Sequence, residues 1–477
     1  MAALVLLALG YAWLLSRHIS PYAGGADSSG YLNSAALLRA GQFTTPVRSL
    51  PGHTGTEFGA LAHLPLGFVI KPDTDRLVSS YPLGLPLHLA AFASLTGLDQ
   101  ATVPLNLCAA LAGGVLMFLL ARRLDLPLLP ALGGAALLLL CPLYLFSALQ
   151  PMSDLLALVW ALAALYAALR ARPSSGWAFF CGVAVALAVL TRPSNLLLAL
   201  PVVLALGTAW RRYLWVGLGG LPGALLLAWY NQKLYGSPLA TGYGDVRSAF
   251  SALYLLPNLA HFARWIPLLL TPLVLAALVA PFTPDGRRRD GLVLLAWAGA
   301  LIGFYAFYYH SGETWWYLRF ILPAFPVLIL AALTGGQALI NRARHRPFIW
   351  ITLLAAALIW ETILFRRLGV LHVKEGEATY PAAAAWARTH LPRNAAVFCM
   401  QVSGAVFYYT DFLVVRWDLA EIGPLLAALR TQQRPVYAIL YEFEEPLARK
   451  RIPGVWIREG NVNQATCWRI DAVPAAP

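Results

Sequence analysis

The sequence has little charge and very few acids. Only 22 of its 477 residues are Asp or Glu, charged residues make up 12%, and hydrophobic residues make up 59%. Mean hydropathy is +0.64. This composition lies far outside the soluble globular range, so it excludes a soluble enzyme and indicates a membrane protein. Apolar stretches recur from the first residues to about Phe365, and several could cross a hydrocarbon core of about 30 Å as helices.

Cysteines and metal-binding motifs are also scarce. The chain has five cysteines and contains no C-x-x-C, no H-E-x-x-H and no histidine cluster, so no cofactor or protein-bound metal is indicated. His53, His63 and His88 are predicted to be loop and surface histidines. Cys399 and Cys467 both fall in the C-terminal region, and their pairing is left open because sequence spacing does not give the Cα distance.

The sequence lacks the paired halves with broken helices and midplane charges that secondary transporters show. This absence argues against a transporter or lipid flippase, which is kept as the alternative interpretation. The net charge of +13 does not indicate nucleic-acid binding, because 24 of the 35 basic residues lie among the first 367 residues. The basic run from Arg342 to Arg346 is expected to serve membrane topology and contact with anionic headgroups of the lipid bilayer.

Short basic connectors give the orientation, because Lys and Arg in short loops mark the cytoplasmic side. Five such connectors occur: Arg122–Arg123, Arg170 with Arg172, Arg211–Arg212, Arg287–Arg289, and Arg342 with Arg344 and Arg346. They divide the apolar segments into about eleven predicted transmembrane helices, with the amino end cytoplasmic and the carboxyl end outside. The predicted helices cover 2–16, 103–121, 127–148, 155–170, 177–191, 194–210, 213–232, 266–282, 291–309, 320–337 and 347–365. A cleaved signal peptide is the alternative for the first, but a basic n-region is missing.

Two further regions complete the predicted architecture. Tyr81 to Leu95 is too short and too rich in proline for a span, so we expect a helix on the outer membrane surface. Beyond Leu368 the pattern changes to that of a small soluble domain, with predicted helices at 380–391 and 421–432 and strands at 395–401, 435–441 and 465–470. The prediction is an all-α polytopic membrane domain, 1–367, followed by an extracytoplasmic α/β domain, 368–477.

Against this background the acid Asp27, in "SPYAGGADSSGYLNSA", stands out. It follows the first apolar run and begins the longest predicted outer loop, 17–80; a loop of this length is usually functional. The structural alternative is that Asp27, Ser28 or Ser29 caps the helix predicted at "NSAALLRAG". Asp154 in "QPMSDLLAL" also lies at the outer end of a predicted span, with N-capping as its alternative.

A further pair of acids occurs in the same predicted loop. "DTD" at 73–75 has the spacing of a metal-binding motif, but it follows Pro72 and is predicted to be a turn.

Six segments together resemble the GT-C superfamily of integral-membrane glycosyltransferases, in particular the bacterial branch related to protein O-mannosyltransferases and to the lipid A aminoarabinose and galacturonic acid transferases. They occur in the family's order: "GGADSSGYLNSAALLRAG", "YPLGLPLHLAAF", "SDLLALVWALAALYAALR", "LTRPSNLLLALPVVL", "YNQKLYGSPLATGYG" and "WWYLRFILPAFPVLIL".

The resemblance implies transfer of a sugar from a polyprenyl phosphate donor to an acceptor hydroxyl of a glycan, lipid or protein, at the outer face of the bacterial inner membrane. It implies inversion and places the general base at Asp27, where a carboxylate can take the proton of the attacking hydroxyl. The family often has a second acid directly afterwards, whereas Ser28 follows here. Asp154 is assigned to acceptor binding or to holding the base or an arginine. A divalent metal, which oligosaccharyltransferase relatives use, is not supported because paired acids are missing.

Fixed cations are expected at the donor phosphate, preferably arginine with its forked donors. The candidates are Arg192 in "TRPSN", Arg319 in "WWYLRF" and Lys233 in "YNQKLYGSP", each with interfacial snorkelling as its alternative. Tyr31, Tyr81 and Tyr243 are candidates for lining the sugar or lipid path. "WWY" at 315–317 is more typical of an interfacial aromatic belt. A noncatalytic membrane scaffold is not expected to have such acids and arginines at the outer membrane face.

Overall fold

A computed structural model describes residues 2–341 and 343–472 of the chain. These residues form two compact units that alternate along the sequence. The first unit comprises the described parts of Met1–Ile19, Val103–Leu227 and Asp245–Val373, and the second those of Ser20–Thr102, Ala228–Gly244 and Lys374–Pro477. Packing thus groups the long loop after the first helix with the C-terminal region. The predicted consecutive domains, 1–367 and 368–477, stay a prediction, and Arg342 of the last basic connector lies outside the described residues.

Helices dominate the described chain. In order they are α1 (Ala2–His18), α2 (Gly25–Arg39), α3 (Gly84–Thr96), α4 (Thr102–Arg123), α5 (Leu128–Leu140), α6 (Pro142–Ala148), α7 (Ser153–Ala171), α8 (Ser175–Thr191), α9 (Ala199–Leu206), α10 (Trp210–Tyr235), α11 (Leu255–Leu269), α12 (Pro284–Arg287), α13 (Arg289–Tyr305), α14 (Phe325–Ile340), α15 (Arg346–Arg367), α16 (Val373–Glu377), α17 (Thr379–His390), α18 (Ser403–Tyr409), α19 (Ile422–Thr431) and α20 (Glu445–Arg451).

The strands all belong to the second unit. They are β1 (Thr44–Pro46), β2 (Phe68–Ile70), β3 (Arg76–Ser79), β4 (Ala396–Phe398), β5 (Leu413–Val415), β6 (Val436–Tyr441), β7 (Val455–Val462) and β8 (Ala465–Asp471). The first three form a small antiparallel sheet in the order β1-β3-β2.

Several helices are long and apolar enough to cross a membrane. Among the described residues there are five: Leu98–Arg123, Ser153–Ala171, Trp210–Tyr235, Trp315–Ile340 and Arg346–Arg367. The number is seven if each of two bent pairs counts as one span: Leu128–Leu140 with Pro142–Ala148, and Ala252–Leu269 with Pro272–Phe282. These helices are those of an integral membrane protein. The count of about eleven spans stays a prediction.

The structure corrects one predicted span, 266–282. The chain bends by 119° between Leu269 and Pro272, so this stretch is a broken pair rather than one helix. Proline has no N–H to donate and excludes the residue before it from the helical region. Thr271 leaves the helical region with φ 62°, a value that β-branched residues rarely adopt, and its hydroxyl accepts a hydrogen bond from the N–H of Leu273. The predicted span 127–148 also breaks, by 57°, at Pro142.

In the first unit, α7 is the central helix. Nearly all of its side chains are buried, on every side, as expected of a helix surrounded by others. The apolar core around it includes the fully buried rings of Tyr144, Trp297 and Phe325. The Tyr144 hydroxyl donates to the backbone oxygen of Ala110 over 2.7 Å, so this buried polar group is satisfied.

In the second unit, the main sheet has five strands in the order β5-β4-β6-β8-β7. Strands β5, β4 and β6 are parallel, and β8 runs antiparallel to β6 with Ile439 opposite Cys467. All five predicted elements of the C-terminal region are present. Strands β5 and β7 and helices α16, α18 and α20 are additional, because short or exposed elements leave little periodicity in the sequence.

Three smaller predictions are decided within the second unit. His63 is 2% exposed rather than a surface residue, and its Nδ1 lies 3.0 Å from the backbone oxygen of Val414. Cys399 and Cys467 are both free, buried thiols, so no disulfide joins them. "DTD" at 73–75 forms the expected turn, in which Asp73 has φ 56°.

Candidate functional site

Asp27 lies in the first turn of α2. This helix begins earlier than predicted, at Gly25, and its N-cap residue is Gly24, which offers no side chain for capping. The alternative that Asp27, Ser28 or Ser29 serves as the N-cap is therefore wrong. Because the amino end of a helix carries partial positive charge, a carboxylate is favoured at this position.

Tyr81 holds the carboxylate of Asp27. Its hydroxyl donates to Oδ1 of Asp27 over 2.6 Å. Burial raises the pKa of Tyr81 well above its usual value, and the charge of Asp27 raises it further, so the phenol stays a hydrogen-bond donor. The ring lies directly against Gly30, where a Cβ would be 2.5 Å from Cδ2 of Tyr81 and 2.9 Å from Cα of Gly67. Glycine at position 30 is therefore required for this contact.

Two further tyrosines lie beside Tyr81 and Asp27. The rings of Tyr31 and Tyr81 lie 4.7 Å apart, and Tyr243 meets Tyr81 edge-on at 6.1 Å. Tyr31 is buried, whereas Tyr243 is 45% exposed. Tyr243 follows Gly242, whose own Cβ would be 2.7 Å from Cα of Ser80, so the "TGYG" loop packs closely against the end of β3. Asp27, Tyr31, Tyr81 and Tyr243 thus form one cluster, the Asp27 cluster.

Helix α2 is fixed to α18 by polar contacts of small residues. The Asn33 amide donates to the backbone oxygen of Ser29 over 2.9 Å and to that of Gly404 over 3.2 Å. The Ser29 hydroxyl donates to the backbone oxygen of Gly25. A Cβ at Gly404 would overlap Oγ of Ser29. The "SSGYLNS" segment of α2 therefore fixes this helix, and with it Asp27, against α18.

Lys233, the third predicted phosphate ligand, has different neighbours. It is exposed on α10, and its ammonium group lies 5.2 Å from the Phe43 ring and 5.0 Å from the Trp229 ring. These are cation–π contacts. They do not place Lys233 in the Asp27 cluster.

Asp154, Arg192 and Arg319 form a second cluster, within the first unit. Arg192 donates to Oδ1 of Asp154, and the two side chains are 13% and 2% exposed. Nη1 of Arg192 is also 3.4 Å from the backbone oxygen of Arg319, whose own Nη1 lies 3.5 Å from Sδ of Met152. Asp154 lies in the first turn of α7 without capping it, since the N-cap is Met152. The structure therefore brings these three predicted residues together, in what we call the Arg192 cluster.

The turn at "TRPSN" explains the position of Arg192. Helix α8 ends at Thr191, and Pro193 keeps Arg192 extended, with φ −152° and ψ 111°. The buried Asn195 amide donates to the backbone oxygen of Ala188 over 2.9 Å and ties the turn back to the helix. The guanidinium thereby leaves the helix end in one direction, towards Asp154.

Aromatic rings cover the Arg192 cluster. The guanidinium of Arg192 lies 5.0 Å from the centre of the Phe320 ring, and that of Arg319 lies 5.4 Å from it and 5.5 Å from the Tyr317 ring. Tyr317 stacks on His310 with centroids 5.6 Å apart. A flat, partly exposed stack of rings beside two guanidinium groups is suited to a sugar phosphate. Phe320 was missed in the sequence, where it reads as one apolar residue among many.

No group of three or more His, Cys, Asp or Glu side chains suited to a metal ion occurs in the described residues.

Glu377 is a second residue that the sequence analysis did not identify. It lies beside the start of α2, although 350 positions separate it from Asp27. No local motif marks it.

Comparison with known proteins identifies the fold. No protein-family profile and no curated protein sequence matches the chain. Among solved structures it is similar to ArnT from Cupriavidus metallidurans, with 16% identity over 100% of this chain and 99% of that one and a TM-score of 0.61. It is also similar to the Archaeoglobus fulgidus oligosaccharyltransferase, with 11% identity over 97% and 73% of the chains and a TM-score of 0.62.

A third similar structure is the arabinofuranosyltransferase AftD from mycobacteria, with 16% identity, coverage of 99% of this chain and 40% of that one, and a TM-score of 0.54. At such low identity the likeness concerns the fold. The resemblance stated from the six sequence segments is thus confirmed for the fold: the chain shares its fold with ArnT, the oligosaccharyltransferase and AftD.

Proposed function

We propose that this protein is an inverting, metal-independent glycosyltransferase that moves a sugar from a polyprenyl phosphate donor to an acceptor hydroxyl. The observation that carries the proposal is the Asp27 cluster, a half-buried carboxylate at a helix start, held by a tyrosine hydroxyl and bordered by two more aromatic rings. The fold supports it. ArnT has been solved with undecaprenyl phosphate, and an archaeal oligosaccharyltransferase with dolichol-phosphate.

The reaction is a single displacement at the anomeric carbon. The acceptor oxygen forms a bond to C1 while the bond from C1 to the phosphate oxygen breaks, and polyprenyl phosphate leaves with the bonding electrons. Asp27 takes the proton that the hydroxyl loses. Because attack and departure occur on opposite faces of C1, the configuration inverts.

The leaving phosphate gains negative charge and requires fixed cations. Arg192 and Arg319 are our candidates for this role, with Lys233 as the third. Asp154 then acts as a positioning residue, since it binds the Arg192 guanidinium and fixes its direction. We place the reaction at the outer face of the bacterial inner membrane, with the amino end of the chain in the cytoplasm.

Release of free polyprenyl phosphate tests the proposal. The purified protein in lipid nanodiscs is incubated with a panel of polyprenyl phosphate sugars and with glycan, lipid and hydroxyl-peptide acceptors. We expect Asp27→Asn to abolish turnover and to leave donor affinity within a few-fold of wild type. Asp73→Asn, at an exposed turn of the same loop, is the matched control and keeps full turnover.

Two results would contradict the proposal. Retained turnover in Asp27→Asn removes this residue from the base role. Movement of intact donor across a sealed bilayer, without cleavage of the glycosyl phosphate bond, supports the flippase alternative instead.

A further inference from the structure

A second carboxyl group lies against the helix start that carries Asp27. It belongs to Glu377, the last residue of α16. A Cβ on Gly24 would overlap Oε2 of Glu377, and it would lie 3.1 Å from Cδ2 of Tyr380. The Gly24–Gly25 turn is therefore shaped around this carboxyl group, and Gly25, with φ 50°, begins α2 immediately after it.

Among the described residues, the charge that acts on Glu377 is that of an acid. Oε2 is buried and has no hydrogen-bond partner in the described part of the chain. The titratable groups that face it are Asp27 from α2 and the phenols of Tyr380, Tyr409 and Tyr441 from α17, α18 and β6. Lys374 and Glu375 lie on its own helix, and each makes a side-chain interaction.

Such a place disfavours a second negative charge. Burial, and after it the charge of Asp27, raise the pKa of Glu377 to about 7. Two ionised carboxylates at one helix start would also repel an anionic donor phosphate, so the neutral form of Glu377 suits the proposed reaction.

We propose that Glu377 is a positioning residue of the transfer site: its neutral carboxyl group packs on the Gly24–Gly25 turn and leaves Asp27 as the one ionised acid at the start of α2. This inference rests on the proposed function. Glu377 supplies a second carboxyl group beside the start of α2, although the residue directly after Asp27 is Ser28. It keeps the local charge low, and it neither binds a metal nor takes a proton from substrate.

The pH profile of turnover tests this role. In wild type, ionisation of Glu377 above pH 7 should raise the KM for the donor about threefold or more between pH 6 and 8.5, with little change in kcat. In Glu377→Gln the amide stays neutral, so KM should no longer depend on pH over this range. The matched control is Glu375→Gln, which changes an exposed acid on the same helix. This variant should keep the wild-type rise in KM between pH 6 and 8.5.

A labelling experiment measures the protonation of the Glu377 carboxyl group independently of turnover. Dicyclohexylcarbodiimide reacts with protonated, buried carboxyl groups, and peptide mass spectrometry reports the modified fraction of Glu377. In the full-length protein in nanodiscs we expect labelling to fall with a midpoint near pH 7. In Asp27→Asn the neighbouring charge is removed, so the midpoint should move to lower pH.

Each result decides the proposal. A KM step that persists in Glu377→Gln, or a folded Glu377→Gln protein that is inactive at every pH, overturns it. A labelling midpoint that is the same in Asp27→Asn and wild type also overturns it. A wild-type protein that cleaves no donor refutes the proposed function, and with it the role of Glu377 in transfer, whereas the labelling midpoints then still show whether the two carboxyl groups interact.

Discussion

Gly30→Ala tests the link between glycine, tyrosine and carboxylate at the candidate base. A Cβ at this position would be 2.5 Å from Cδ2 of Tyr81, whereas carbon atoms in contact prefer about 3.5 Å or more. The ring must therefore move by about 1 Å or more away from α2. Asp27 lies three residues before Gly30, on the same side of the helix. The present 2.6 Å hydrogen bond from Tyr81 to Asp27 would then exceed hydrogen-bonding distance.

The expected loss follows from the strength of that bond. A hydrogen bond to a charged group contributes about 1.5–3 kcal/mol. Since about 1.4 kcal/mol corresponds to a factor of ten, kcat/KM should fall about 10- to 150-fold. The assay is release of polyprenyl phosphate by protein in nanodiscs, after size-exclusion chromatography has shown that the variant is folded.

Three comparisons make this prediction sharp. Tyr81→Phe removes the hydroxyl and keeps the ring, so it should lose a similar factor, and the Gly30→Ala/Tyr81→Phe double variant should lose little more than either. Gly299→Ala, where a Cβ meets nothing within 4 Å, is the control for a Gly-to-Ala change in a helix. Wild-type turnover in Gly30→Ala, or in Tyr81→Phe, would refute the reasoning.

The remaining predictions concern the Arg192 cluster, metal dependence and the thiols. Asp154→Asn and Arg192→Gln should each lower the free energy of unfolding by about 3–5 kcal/mol, measured by denaturant titration of the purified protein. The double variant should lower it by clearly less than the sum of the two losses, and additive losses would contradict a buried ion pair. Turnover should be unchanged after dialysis against EDTA, and activity restored only by added Mg²⁺ or Mn²⁺ would overturn metal independence. Burial raises the pKa of the Cys399 and Cys467 thiols. Maleimide at pH 7.5 should therefore label neither in the folded protein and both after denaturation, and labelling of the folded protein would contradict their burial.

The sequence determined the membrane class and most helix positions, because both depend on local composition. An apolar stretch has to be helical in a membrane whatever its neighbours are, since its backbone groups find no other partners. Proline accounts for the span that was predicted wrongly: the break at Thr271–Pro272 depends on how the chain turns after the first helix ends. The apolar pattern of 266–282 is the same whether the helix continues or bends.

The candidate site was predictable only in part. Asp27 and Asp154 are two of only 22 acids in the chain, and Arg192 lies at a turn between two apolar segments. The sequence did not show which of them touch. Arg192 contacts Asp154 because Pro193 extends the chain at the end of α8, and Tyr81 reaches Asp27 because Gly30 has no side chain.

The alternation of the two units along the chain was likewise decided by tertiary structure. The long loop after α1 and the C-terminal region share one core, in which Phe68 and Phe407 meet with ring centroids 5.2 Å apart. Glu377 comes to the start of α2 within this unit. Hydropathy and periodicity describe neighbours in sequence, and they carry no information about a contact across 350 residues. Such contacts depend on which surfaces can pack together without voids or unpaired charges, and only the folded chain settles that.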